Sequence, residues 1–320
     1  MKKIILLPLT VFLFVIAANA QPAASEDVSI PAKGAELKGT LLLPAHVKKP
    51  PVVLIIAGSG PTDRDGNSPI IAGKNNSLLQ LADSLAQHGI ASLRFDKRGI
   101  AKSMVKNFVE DSMHFSDYVH DAETIVAWLQ AKGFKKIVIA GHSEGSLVGL
   151  ATAAAVPVAG YISIAGAGRN IADVLKEQLS SLPDTLRQLA WSYLDSLRAG
   201  RKIPRPTPML LNLFRPSVQP YMISWMQYEP ARLIAGLACP ALIIQGTKDL
   251  QVMEKDARLL AEANPAAQLL LVKNMNHVLK EVASDNRADN IKAYSNPDLP
   301  LLPEMTAAIV NFIVTKQKRR

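Results

Sequence analysis

Short apolar runs recur along the chain and alternate with stretches whose apolar residues fall every three or four positions. The runs Val52–Ala57, Ile90–Phe95, Lys136–Ala140, Tyr161–Ala165, Ala241–Gln245 and Gln268–Val272 are apolar in bulk and do not alternate with polar residues. Strands of that kind are expected where both faces of a parallel sheet are covered. Between them, Ser77–His88, Ser116–Lys132, Ser146–Val156, Glu254–Asn264 and Pro303–Lys316 carry helical periodicity. Val28–Ile30 and Glu36–Leu43 read as an antiparallel opening pair. The alternation predicts an α/β fold with a mostly parallel, doubly wound sheet.

The rhythm stops between Gly168 and Gly236, where no strand pattern occurs. Leu175, Leu179, Leu182, Leu186 and Leu189 step at helical spacing, and Pro183 is expected to split them into two helices. Five prolines from Pro204 to Pro220 follow, and then Tyr221, Trp225 and Tyr228. The expected organisation is a core of residues 21–168 and 237–320, with residues 169–236 inserted as a helical cap. Simple cover for a sheet edge is the plainer alternative for that segment.

The ends of the chain are set apart by charge. Lys2 and Lys3 precede an apolar run, Ile4 to Ala18, closed by Ala18-Asn19-Ala20. This is the pattern of a secretory leader cleaved after a small-x-small site, residues 1–20. The run is shorter than the ~20 residues of a membrane span, and no Cys follows the site to carry a lipid. The reading implies an exported chain, periplasmic or secreted, with no stable membrane anchor after cleavage. The formal charge of +9 would ask for an acidic partner. Two of its cations lie in the leader and four in residues 316–320, however, leaving Gln21–Thr315 with 30 cations against 27 acids. No basic helix or interleaved aromatics suggest a nucleic-acid partner. Cys239 stands alone, which excludes a disulfide framework and a thiolate metal cluster. Beside Pro240 at a strand start, it is expected to be a small buried apolar residue.

Candidate chemistry starts at Gly141-His142-Ser143-Glu144-Gly145, a G-x-S-x-G run between an expected strand and a helix of small residues. That context is what a nucleophile elbow requires, with Gly141 and Gly145 leaving room for a strained turn. Ser143 would then stand at a helix N-terminus, where backbone N–H groups favour a developing oxyanion. A serine hydroxyl needs a base, and in elbow folds the acid and then the histidine follow it in sequence. His277 is the one histidine after Ser143, in a loop after the run Gln268–Val272. His142 reads as a spacer that faces away from the nucleophile. Asp249, after the run Ala241–Gln245, is the expected acid, with service as a helix N-cap as its plainer alternative. Glu254 and Asp256 are rivals inside a helical pattern. The oxyanion donors expected are the backbone N–H groups of Ser59, in Gly58-Ser59-Gly60-Pro61, and of Glu144. Asp63-Arg64-Asp65-Gly66-Asn67 lacks the glycine placement and final acid of a calcium loop, so no metal is expected there. No phosphate loop of the form G-x-x-x-x-G-K occurs.

The order Ser143, Asp249, His277 resembles the α/β-hydrolase superfamily over nearly all of the chain after the leader. More narrowly, Ile56-Ala57-Gly58-Ser59-Gly60-Pro61-Thr62-Asp63-Arg64-Asp65-Gly66-Asn67, together with Asn276-His277-Val278 and Tyr294-Ser295-Asn296-Pro297, is similar to a bacterial carboxylesterase subfamily. The resemblance implies hydrolysis of small-molecule carboxylic esters without metal or organic cofactor, and a cap inserted after the sixth strand. Serine aminopeptidase-like members are among the relatives, so peptide and thioester substrates stay open, as does an inactive binding protein on the same fold. Asp96-Lys97-Arg98-Gly99-Ile100-Ala101-Lys102-Ser103 departs from the family run D-x-R-G-x-G-x-S, because Ala101 replaces the second glycine. That loop is structural in the relatives, so the departure bears on local geometry.

Overall fold

The computed structural model describes residues 23–315. The leader-like residues 1–20 and the basic tail 316–320 lie outside the described residues. Eight strands form one sheet: β1 (Ala24–Ala32), β2 (Ala35–Leu43), β3 (Val52–Ile56), β4 (Ala91–Phe95), β5 (Ile137–His142), β6 (Gly160–Ile164), β7 (Ala241–Gly246) and β8 (Gln268–Val272). Their order across the sheet is β1-β2-β4-β3-β5-β6-β7-β8. β1 and β2 pair antiparallel, β2 joins β4 antiparallel, and every later pairing is parallel.

Eleven α-helices lie between and after these strands among the described residues. They are α1 (Ser77–Gln87), α2 (Phe115–Ala131), α3 (Glu144–Ala155), α4 (Ile171–Gln178), α5 (Asp184–Arg198), α6 (Leu211–Phe214), α7 (Gln219–Trp225), α8 (Pro230–Ala235), α9 (Glu254–Ala263), α10 (Arg287–Lys292) and α11 (Pro303–Thr315). Alternate residues of each central strand feed two cores. Val52, Leu54, Ile56, Ile137 and Ile139 pack on the side that carries α2 and α3. Val53, Ile55, Val138 and Ala140 pack against Leu81, Leu85, Ile309 and Phe312 of α1 and α11. This double cover is why those strands contain no polar alternation.

One run departs from that expectation. Gln268–Val272 was expected to be covered on both faces, yet only Val272 is fully buried in β8. β8 is the last strand of the sheet, and an apolar run does not say whether its strand is central or at the edge. Cys239 likewise is half-buried rather than buried.

Between β6 and β7 the chain forms α4 to α8 and no strand. Pro183 does divide the leucine-spaced stretch, standing as the residue before α5. Asp256 of α9 anchors the start of this insertion. Its carboxylate accepts from the Gly168 and Arg169 N–H groups, both at 3.1 Å, and pairs with the Arg169 guanidinium at 2.7 Å.

Candidate active site

β5 ends at His142, and α3 begins at Glu144, so Ser143 alone makes the turn. Its φ of 55° and ψ of −120° lie in a region L-residues occupy only under constraint. The constraint is steric and polar together. A Cβ on Gly141 would stand 2.0 Å from the Gly145 carbonyl oxygen, and one on Gly145 would stand 2.3 Å from that of Ile56. No side chain larger than hydrogen fits at either position. The Ser143 N–H donates to Ile164 O at 2.9 Å, which ties the turn to β6.

His277 follows β8 in a loop shaped by Asn276. The Asn276 side-chain oxygen accepts from the Val278 and Lys280 N–H groups at 3.1 and 3.0 Å. His277 itself is 4% exposed, and its Nδ1 lies 2.8 Å from Asp249 Oδ2. Asp249 is held on both oxygens: Oδ1 accepts from the Gln251 and Val252 N–H groups, and Oδ2 also accepts from Gln245 Nε2. Burial pushes the Asp249 pKa up, but the His277 charge, its hydrogen bond and the two backbone donors outweigh it, leaving the carboxyl below its ordinary value. The residue before α9 is Met253, so Asp249 is not that helix's N-cap. Of its two rivals, Asp256 is engaged with Arg169 and Glu254 pairs with Arg258 on the surface.

The elbow and the His277 loop are joined by His142. A spacer by position, it also makes a bond that the sequence did not suggest. Its Nε2–H donates to the His277 carbonyl oxygen at 2.7 Å, and the two rings lie 4.9 Å apart. Burial, followed by the neighbouring His277, lowers its pKa to about 4. A neutral ring with its proton on Nε2 fits this bond. Among the described residues, the Ser143 hydroxyl makes no direct hydrogen bond to His277. Such bonds are often long until substrate arrives.

The comparisons with known proteins agree with this architecture. Residues 72–211 match the family described as serine aminopeptidase, S33. The esterase EstD of Thermotoga maritima is 24% identical over 278 residues, which cover 81% of this chain and 61% of EstD. This chain therefore spans about three fifths of EstD's length. Est1E from Butyrivibrio proteoclasticus, solved with ferulic acid bound, superposes with a TM-score of 0.60 at 17% identity, covering 91% of this chain and 100% of Est1E. Proline iminopeptidase from Mycobacterium smegmatis superposes with a TM-score of 0.56 at 14% identity, covering 91% and 98%. The chain has the α/β-hydrolase fold.

A cavity of about 300 Å³ lies between the elbow and the helices of the insertion. Ser59, Gly60, Ser143 and Glu144 line its floor, and Val174, Leu213, Val218, Met222 and Trp225 line its wall. A wider hollow, about 600 Å³, lies at the opposite ends of the strands between Pro44–Pro51 and Lys132–Lys136, and its lining includes no serine, threonine or cysteine. Beneath the floor is a group that sequence reasoning missed. Lys97, 1% exposed, donates to Gly58 O at 2.6 Å and to Glu144 Oε2 at 2.5 Å. The other Glu144 oxygen accepts from the Tyr221 hydroxyl at 2.6 Å. The signal was available: Lys97 stands just past β4, the same position relative to a strand that singled out Asp249 and His277.

Proposed function

We propose that the chain is a serine hydrolase that cleaves carboxylic esters of small to medium acyl groups through an acyl-enzyme on Ser143. The observation that carries this reading is the 2.8 Å bond between His277 Nδ1 and a buried, ionised Asp249, in a loop tethered to His142, the neighbour of a strained Ser143. Asp249 holds the Nδ1 proton and leaves Nε2 as the base. Ser143 Oγ attacks the ester carbonyl carbon while His277 takes its proton. The carbonyl oxygen becomes an oxyanion held by the N–H groups of Ser59 and Glu144. His277 then gives its proton to the departing alcohol. It next takes one from water, whose oxygen attacks the acyl carbon, and Ser143 is released with its proton restored.

The apolar wall suits an alkyl or aryl acyl group. An N-terminal ammonium, as an aminopeptidase substrate would carry, needs an unpaired carboxylate. Glu144 is the acid on the cavity's lining, and Lys97 and Tyr221 already hold it. This favours esters over aminoacyl substrates. The leader-like residues 1–20 support action outside the cytoplasm. Among the described residues no helix is long and apolar enough to cross a membrane. The test is a panel of p-nitrophenyl esters of rising chain length beside aminoacyl-nitroanilides, on wild type and Ser143→Ala. Ester cleavage that vanishes in Ser143→Ala is expected. Nitroanilide cleavage exceeding ester cleavage would transfer the assignment to the peptidase reading.

A further inference from the structure

Gly58 and Ser59 share one peptide group, and among the described residues no peptide bond is cis. In a trans peptide the carbonyl oxygen of one residue and the N–H of the next point to opposite sides. Fixing the Gly58 oxygen therefore fixes the direction of the Ser59 N–H. The group that fixes it is the Lys97 ammonium, 2.6 Å away. An ion at that oxygen also polarises the peptide and strengthens its N–H as a donor. The same ammonium reaches the side chain of Glu144, whose N–H is the second donor of the proposed oxyanion pocket.

The pair has a second electrostatic consequence. A buried carboxylate on Glu144, next to the reacting Ser143, would oppose negative charge developing on the substrate oxygen. Lys97 cancels that charge where water cannot. The 4.8 Å approach of its Nζ to the Tyr118 ring centroid, and the hydroxyl of Tyr221 on Glu144, complete the surroundings of the pair.

We infer that Lys97 is a positioning residue for the oxyanion pocket, aligning the Gly58–Ser59 peptide and neutralising Glu144 beneath the reacting carbonyl. The inference rests on the serine hydrolase reading. Its test uses p-nitrophenyl butyrate as substrate and an alkyl trifluoromethyl ketone as probe. Ser143 Oγ adds to the ketone carbon, its proton passes to His277, and the ketone oxygen becomes the anion the pocket must hold. In Lys97→Met, kcat per titrated active site is expected to fall about 10²-fold, the scale of losing one oxyanion donor. KM should stay within about threefold, and the ketone's inhibition constant should rise by the same factor as kcat falls. A role confined to folding would lower the active fraction and leave that inhibition constant unchanged.

Lys97→Met alone strands a buried carboxylate, so Lys97→Met/Glu144→Gln is the companion variant. With no unpaired charge it should fold, yet keep the deficit in kcat and in ketone affinity, because the Gly58 oxygen is still unheld. Either folded variant with wild-type kcat and wild-type ketone affinity would overturn the inference while Ser143→Ala stays inactive. Were Ser143→Ala as active as wild type, the serine hydrolase reading would fall, and this inference with it.

Discussion

At the elbow, Gly141 and Gly145 lie so close to neighbouring backbone that a single added carbon is excluded, whereas across the cavity Leu213 and Val218 face open volume. The ion pairs differ in the same direction. Lys97 with Glu144 and Arg64 with Asp96 are almost wholly buried beside the floor, while Arg198 with Asp173 and Glu229 braces the insertion with side chains about two-fifths exposed. Breaking a buried pair strands a charge and is strongly destabilising, but an exposed pair contributes about 0–1 kcal/mol. The floor is thus over-determined by backbone contacts and paired charge. The wall is held by side-chain packing that many apolar residues can supply. On the proposed reading, chemistry belongs to the region that tolerates no change, and selectivity to the region that does.

Four experiments would break or sharpen that contrast. The largest effect is expected at Asp249→Asn, which keeps the volume but destroys the preference for a proton on His277 Nδ1. Turnover of p-nitrophenyl butyrate should fall by about 10³–10⁴-fold with folding intact. A loss under tenfold would move Asp249 out of the site.

The next concerns acid. His142 has a pKa near 4 when folded against an ordinary value of 6.5, so the unfolded chain binds more protons between those limits. Stability from this group is complete above about pH 6.5 and is lost as pH falls toward 4, by about 3 kcal/mol in all. Urea titrations at several pH values should show that slope. They should also show it flattened in His142→Gln, whose amide can still reach the His277 carbonyl.

The wall should behave otherwise. Val218→Trp fills part of the cavity, and kcat/KM for an octanoate ester should fall about tenfold while the acetate ester changes less than about threefold. Equal losses on both esters would show the wall taking part in chemistry. The smallest effect is expected at Ala101, whose φ of 45° places a Cβ in the left-handed region. The departure from glycine noted in the sequence leaves the turn's backbone in place and strains it. Ala101→Gly should raise stability by about 1 kcal/mol in chemical denaturation, with activity unchanged.

The same contrast explains what could be read beforehand. The strands, the elbow and the order of Ser143, Asp249 and His277 were legible because few residue types satisfy those positions. Five helices between β6 and β7 were legible as a gap in strand pattern, although nothing in Leu213 or Val218 announced which face would meet the cavity. Lys97 was missed because a lone lysine reads as a solvated charge. Its partners, Gly58 and Glu144, lie 39 and 47 positions away and meet it only in the fold. The bond from His142 was hidden for the same reason, since its partner is 135 positions distant. The exposure of β8 depends on strand order, which no local pattern encodes.

β6 and β7 are parallel neighbours, so the insertion leaves the core at the carboxyl end of one strand and re-enters it at the amino end of the next. The entropic cost of closing such a loop grows only with the logarithm of its length. A change in the segment's length therefore costs little closure entropy, provided that the hydroxyl Tyr221 places on Glu144 is kept. That makes this junction a graft point for changing the lining of the cavity while the sheet beneath it stays the same.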